Sequence, residues 1–568
     1  MDVCGHNFCH YACRTYRIKR GQEMTKLKNI SIGSYLFSFL FLLLMGIGFL
    51  CNKNTDLYGA GIAAVFGITF IGCIPFAYMV NKLYCKLDNT GYEKYSKISF
   101  KKIFLILMIC YTIFFISIFP GMVHYDSQIC ILQYFGIKNP VSAQVVLLNP
   151  TQLITDHHRI AYVYLIGTCM KIGKMITGSY TTGYAAYILI QYTFFAFALS
   201  RMISYGSVAI KHKSLIVLFL LNPLLMEIPF LANKDSIFTA FGILFLVEFL
   251  EAYQGRLNLI RLLPIIIGMF LFRANAAYAL IPALIVAGLI LKQKKMIIPV
   301  VVLIVVMIGY NSILLPTLQI SPASKKEMLS VPFQATARYI QKYDVTKKEK
   351  DAIDKVLDYD EIKERYFPVL SDPVKDTYKK DATGEDLKEY FKVWIEMGLK
   401  HPGTYMESVL YNIYGYFYPG FNIGTWAKKC GGYPIDESYI LHGWINPRFV
   451  EDAGFKIPFN KIKVGLYVLV GYEWILEKIP VINVVLRSAL YFWLMAFAIC
   501  FCIHKKRWKN LSWFVFLLLY LGTVFLGPVS GNQRYMLLFV CAFCLYPYVV
   551  ASQYTKNESG FSTEQFSP

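Results

Sequence analysis

Phe119-Pro120-Gly121-Met122-Val123-His124-Tyr125-Asp126-Ser127 closes one apolar run and opens a polar loop. The run, Ile103 to Phe119, is long enough for a membrane helix. Proline cannot continue the helical hydrogen-bond ladder and glycine favours a turn, so Pro120–Gly121 ends that helix sharply. Asp126 then falls on a loop just past the membrane edge. A carboxylate there is either an incidental loop acid or the centre of the chemistry, and the rest of the chain favours the second.

The 568 residues are 56% hydrophobic and only 16% charged, too apolar for a soluble protein of this size. Apolar runs of membrane-spanning length recur, so the fold class is all-α and polytopic, with about a dozen or more transmembrane helices and a mainly helical extracytoplasmic domain. The first apolar run lacks a small-residue cleavage site, so no cleavable signal peptide is expected. The net charge of +21 is concentrated in short loops that it would hold in the cytoplasm, and it can attract anionic lipid head groups. Nucleic acid is not expected as a partner. Many of the fourteen cysteines, among them Cys73, Cys110, Cys169, Cys500, Cys502, Cys541 and Cys544, lie in apolar runs and act as small hydrophobes. The polar outer part has only Cys430, hence no internal disulfide framework.

Residues 1–29 form a basic cytoplasmic N-terminus. Its Cys4, His6, Cys9, His10 and Cys13 match no strong zinc spacing, and Met24 is the expected true start. An N-terminal transmembrane module spans 30–315. Its first helices are Ile30–Cys51 and Tyr58–Val80. Lys82, Lys86, Lys94, Lys97, Lys101 and Lys102 place the next loop inside, so Asp126 emerges outside.

The outer loop 121–158 carries Val145 to Leu148 and Leu153, which suit short amphipathic pieces on the membrane surface. A helix then runs from Ile160 to about Ile176, followed by apolar segments 183–203, 214–231, 236–252, 258–272, 276–291 and 296–315. These are seven segments between two loops that belong on one face, so one should not span. The stretches broken at Pro223/Pro229 or at Arg273–Pro282 are the candidates.

Residues 316–480 are rich in charge and turns and read as the extracytoplasmic domain. Thr346 to Glu349 is a capping-box pattern, Leu387, Phe391, Trp394, Ile395 and Met397 mark an amphipathic helix ending near His401–Pro402, and Val464–Ile479 reads as an interfacial helix. Residues 481–550 hold the last spans, Ile482–Ile503, Leu511–Leu526 and Tyr535–Val550. Residues 551–568 are a cytoplasmic tail.

Asp126, Asp156, His157, His158, Arg159, Lys234, Asp235, Arg273 and Arg534 collect at the outer face. Singly each has a bland reading as cap, buried histidine or snorkelling arginine. Together, at membrane depth, they suggest function. A lipid-linked sugar phosphate needs cations for the charge that grows on its phosphate, and the acceptor hydroxyl needs a carboxylate to take its proton. Asp126 is then the catalytic base, with Arg159, Lys234, Arg273 and Arg534 as donor-phosphate ligands. Asp156, His157, His158, Asp235 and Gln128 are left for substrate binding. A divalent cation is compatible with Asp126, Asp156 and His157, but no spacing here is diagnostic.

With those residues in view, the chain resembles the GT-C superfamily of membrane glycosyltransferases, which use polyprenyl-phosphate sugars. The likeness rests on Pro120–Gly121–x–x–x–Tyr125–Asp126–Ser127 in the first large outer loop, on His157–His158–Arg159 opening the next helix, and on Arg534–Tyr535 near the last helices. Where the superfamily usually has His-Pro, His158 is followed by Arg159. The chain is also similar to an uncharacterised group of bacterial, mostly Gram-positive, membrane proteins over most of residues 100–550. That likeness is carried by Ser330 to Arg338, Ser371–Asp372–Pro373–Val374–Lys375 and Asn233–Lys234–Asp235.

The resemblance implies transfer of a sugar from a polyprenyl-phosphate donor to a cell-envelope glycan, lipid or polymer acceptor. It places the protein in the bacterial plasma membrane with both termini cytoplasmic. Polysaccharide polymerisation and transport of a lipid-linked sugar or polymer are the alternatives. A transporter would favour internal repeats and midplane charges, and neither is evident in the sequence.

Overall fold

The computed structural model describes residues 30–89, 95–422, 426, 447–459 and 464–552. The expectations about residues 1–29, including Met24, and those about Lys94, Cys430 and the tail from 553 onward, fall outside the described residues.

The protein is a membrane protein built from helices. Among the described residues, eight helices are long and apolar enough to cross a membrane, and three shorter apolar helices accompany them: Leu259–Phe272, Ala276–Leu291 and Ser488–His504. Ile32–Asn52 (α1) starts where the Ser31 hydroxyl accepts the Ser34 N–H, the usual work of an N-cap serine. It packs against Ala60–Asn89 (α2). Phe100–Ser117 (α3) ends three residues before Pro120, as the Pro-Gly reading predicts. Ile160–Thr177 (α4) and Tyr180–Gly206 (α5) form an antiparallel hairpin that turns on Gly178. Lys234–Tyr253 (α6) is the central post. Of its spanning window 89% is buried, against 17% for α2 and for α3, whose apolar faces are left for lipid.

The stretch 214–231 does not form one helix. It breaks into Ser214–Leu220, Pro223–Glu227 and a 3-10 turn Ile228–Phe230. Pro223 and Pro229 each remove a backbone donor, so the helix cannot continue through them. Of the two places where the sequence allowed a non-spanning segment, the break is here. Ala276–Leu291 runs through Pro282 without interruption.

Two dipeptides supply the only strand pairing among the described residues. Met122–Val123 (β1) lies parallel to Leu231–Ala232 (β2). β1 comes so close to α5 and β2 that a Cβ at Gly121 would stand 2.7 Å from Ile188 Cγ1 and 3.3 Å from the Phe230 carbonyl oxygen. Gly121 also has φ +117, a conformation that glycine alone adopts easily.

The polar part between 320 and 422, expected to lie outside, is helical, with Ser330–Lys342 (α7), Lys347–Asp354 (α8), Gly384–Lys400 (α9) and Pro402–Ile413 (α10). The capping box at Thr346 and Glu349 is formed, and a second one links Thr383 and Asp386. Phe333, Ile353, Tyr390, Val393 and Met397 make a core of their own. Three backbone contacts press this part onto the membrane body. The Asp156 N–H donates to the Ser321 carbonyl, the Ser371 N–H to that of Pro528, and the Ser530 N–H to that of Val369. The second and third of these hold the turn that leads into Arg534.

Candidate functional site

Three helices begin side by side, and each places a charged residue at its second position. β1 runs into His124, which caps Tyr125–Tyr134 (α11) by accepting the Asp126 N–H at Nδ1, 2.9 Å away. β2 runs into Asn233, whose Oδ1 accepts the Asp235 N–H at the start of α6. Asn532 accepts the Arg534 N–H at the start of Gln533–Ala542 (α12). The strand pair aligns the first two starts. The third is set by Gly531, whose φ is +64 and whose Cβ would lie 2.9 Å from the Gly415 carbonyl oxygen. Each start presents the positive end of a helix dipole to one small region.

Arg534 joins the three. Its Nη1 donates to Asp126 Oδ2 at 3.1 Å and lies 3.0 Å from His124 Nε2. Its Nε is 3.1 Å from Asp235 Oδ2, an ion-pair contact without hydrogen-bond geometry. Arg273 stands at the C-terminus of Leu259–Phe272 and donates to Asp235 Oδ1 at 2.5 Å, with its guanidinium 4.9 Å from the Tyr535 ring. Asp235 thus has two arginines and Asp126 has one.

Burial works against a charge on Asp126. His124, Arg534, His158 and Lys234 outweigh it and hold the carboxyl well below the usual range. Burial keeps the His124 ring neutral, with its ordinary pKa pushed well down, so the full charge beside Asp126 is that of Arg534.

Lys234 is different. Its Nζ donates to His158 Nδ1 at 3.0 Å and, among the described residues, has no carboxylate within ion-pair distance. An ammonium can only donate, so Nδ1 accepts and the neutral ring carries its proton on Nε2. Burial, followed by Lys234 and His157, holds His158 neutral, and its buried Nε2 has no partner among the described residues. Among the described residues, Asp126 and Asp235 therefore face Arg273, Arg534 and Lys234, three cations to two carboxylates.

The other expected site residues separate from this group. Arg159 donates to Asp156 Oδ2 at 2.6 Å, and its guanidinium is sandwiched 4.4 Å from the Phe270 ring and 4.3 Å from the Tyr310 ring. Asp156 also accepts the Tyr310 hydroxyl. Both partners of this ion pair are buried, and Arg159 Nε has no hydrogen-bond partner among the described residues. His157 lies 3.7 Å from Glu327, which pairs with Lys375 at 2.6 Å. Lys375 reaches Asp372 as well, so this chain links the outer part to the site. Gln128 is buried, and its Oε1 accepts the N–H groups of Phe449 and Val450, pinning the segment 447–452. Among the described residues no three His, Cys, Asp or Glu side chains gather as a metal set, and Asp126, Asp156 and His157 each have different partners.

The sequence assigns no site role to His124, Tyr310 or Asn532, and Asn233 enters only as part of the Asn233–Lys234–Asp235 likeness. The signal was a repeated pattern of cap, any residue, charge: His124–Tyr125–Asp126, Asn233–Lys234–Asp235 and Asn532–Gln533–Arg534.

A family model described as a family of unknown function (DUF6020) matches residues 97–561, and the chain belongs to that family. No curated protein and no solved structure matches it.

Proposed function

We propose that the protein is a GT-C-type glycosyltransferase of the bacterial plasma membrane. It moves a sugar from a polyprenyl-phosphate donor to a cell-envelope glycan, lipid or polymer at the outer face, with both termini in the cytoplasm. The three shorter apolar helices, added to the eight long ones, bring the bundle near the dozen spans expected of that architecture.

The observation that carries this reading is the charge balance. A half-buried group that holds, among the described residues, two carboxylates and three cations sits where three helix N-termini meet beside apolar helices. Such a place lacks an anion, and a phosphate matches both the ammonium and the helix starts. Lys234 Nζ and the His158 Nε2–H are the donors best placed to seat it. Arg159, committed to Asp156, serves structure instead.

In the transfer, the acceptor hydroxyl gives its proton to the Asp126 carboxylate, and its oxygen forms the bond to the anomeric carbon. The bond from that carbon to the phosphate oxygen breaks, and its electron pair stays on the phosphate, whose negative charge rises by one. Cations aimed at that oxygen stabilise the transition state more than the ground state.

The test is transfer itself. Membranes containing wild type or Asp126→Ala receive radiolabelled polyprenyl-phosphate hexose, and label is followed into cell-wall and lipid fractions. Transfer by wild type and none by a folded Asp126→Ala protein supports the reading. Equal transfer by both removes Asp126 from the chemistry.

A further inference from the structure

We propose that Arg534 is a positioning residue that passes from Asp126 to the phosphate of the arriving lipid-linked donor, so that the base becomes free only when the donor is seated. This rests on the glycosyl-transfer reading above and adds an order to it.

Three features of the arrangement support the exchange. First, the two carboxylates are unequally provided. Asp235 keeps Arg273 at 2.5 Å if Arg534 leaves. Asp126 has Arg534 at 3.1 Å as its one arginine or lysine within ion-pair distance among the described residues, so its loss leaves Asp126 beside a neutral ring. The departure therefore acts on one acid and spares the other.

Second, two of the contacts that Arg534 makes are poorly formed. Its Nε meets Asp235 without hydrogen-bond geometry. The backbone N–H of Asp126 donates to His124 Nδ1, which leaves the ring proton on Nε2. The 3.0 Å approach of Arg534 Nη1 to that Nε2 thus sets two donors against each other. A phosphate oxygen, which accepts, is a better partner for Nη1 than a ring N–H.

Third, an anion has a reason to arrive. Lys234 is uncompensated and beside it His158 holds a buried donor without a partner. Lys234 directly precedes Asp235, which Arg534 Nε meets at 3.1 Å, so a phosphate seated there lies in the same neighbourhood as Arg534.

The chemistry gains from the exchange. A carboxylate paired with a guanidinium is a weak base, and one released beside a neutral imidazole in a buried site is a stronger one. The guanidinium meanwhile moves to the atom on which charge develops. An acceptor hydroxyl, or water, reaching the site before the donor meets a base that is still paired.

The experiment measures the protonation of Asp126 directly. Full-length protein in lipid nanodiscs is treated with dicyclohexylcarbodiimide, which modifies protonated carboxyls, across a range of pH. Labelling of Asp126 and Asp235 is read by peptide mass spectrometry with polyprenyl monophosphate, with polyprenol, or with neither. Native mass spectrometry of the same nanodiscs reports lipid binding.

The expected result is an upward shift of about one pH unit or more in half-labelling of Asp126 with the phosphate lipid, a tenfold gain in proton affinity. Asp235 stays unshifted, and polyprenol has no effect. In Arg534→Gln the Asp126 midpoint is already high and the lipid does not move it; should that variant misfold, the wild-type comparison decides alone. Bound phosphate lipid with an unmoved Asp126, or with Asp235 moving alongside it, overturns the exchange and leaves the transferase reading standing. Failure of the phosphate lipid to bind overturns both.

Discussion

Arg534 Nη1 and Asp126 Oδ2 lie 3.1 Å apart although 408 residues separate them in the chain. The first residue of the pair opens one of the last helices, and the second opens the helix after β1. Each is the second residue of its helix, held by a cap that takes its own backbone N–H. The site is therefore assembled from helix starts, and its precision comes from capping as much as from the ion pairs.

Asp126→Asn keeps the size of the side chain and removes the base. General-base catalysis typically contributes about 10²- to 10⁴-fold, so transfer should fall by that order. The helix start should persist, because His124 accepts a backbone N–H rather than the Asp126 side chain. Radiolabel transfer together with circular dichroism of the purified variant checks both halves. A variant with near wild-type transfer would exclude Asp126 as the base.

Lys234→Gln and Arg159→Ala should separate binding from stability. A hydrogen bond to a charged group is worth about 1.5–3 kcal/mol, so Lys234→Gln should weaken binding of a polyprenyl phosphate by roughly 10- to 100-fold and move Tm little. Arg159→Ala strands Asp156 in a buried site, where breaking one half of an ion pair costs about 3–5 kcal/mol. It should lower Tm strongly. Lipid titration beside thermal unfolding, run on both variants, tells whether the roles are divided in this way.

Arg338→Ala tests the link between the first hairpin and the outer part. Arg338 gives two hydrogen bonds to Glu407, which is 1% exposed and also accepts the Leu57 N–H and Lys342. Lys342 in turn reaches Asp56 in the loop between α1 and α2. Removing the guanidinium leaves Glu407 with a single cation in a buried place, a loss of the order of 3 kcal/mol. Protease cleavage in the 53–59 loop should become faster than in wild type. An unchanged cleavage rate would show that the hairpin is held by its apolar contacts alone.

Acid should destabilise the protein from about pH 6.5 downward. Burial lowers the pKa of His124, His157 and His158 in the folded state. Below the ordinary histidine value the unfolded chain binds protons that the folded chain refuses, so stability is present above that value and is lost as pH falls towards the folded values. The slope is at most about 1.4 kcal/mol per pH unit for each ring. Asp126 adds a later loss, because its folded pKa is depressed and its contribution disappears below the ordinary aspartate range. Tm measured from pH 8 to pH 5 should fall, and His158→Gln should flatten that fall. A flat wild-type profile would mean the rings do not titrate differently on folding.

The sequence by itself determined the membrane class, the positions of nearly every apolar helix and the capping box at Thr346–Glu349. These depend on local composition and on spacings of a few residues. Ala276–Leu291 begins and ends where its apolar run does, and Thr346–Glu349 closes as its pattern predicts. The charged residues of the site were legible as a collection, because charge at membrane depth is expensive wherever it occurs. Their partnerships were not legible. Arg159 and Arg273 look alike in sequence, each next to an apolar helix. Only the packed structure gives the first to Asp156 between two aromatic rings and the second to Asp235. Which of Pro223/Pro229 and Pro282 interrupts its segment was likewise undecided, since a single proline well inside a helix can be absorbed by its neighbours while closely spaced prolines remove too many bonds. The meeting of Asp126, Asp235 and Arg534 is set by the parallel pairing of two dipeptides and by the Val369–Ser530 contact, which are long-range hydrogen bonds with no local signature. Composition and periodicity fix what each segment is, whereas the free energy that chooses partners is shared across the whole packed core.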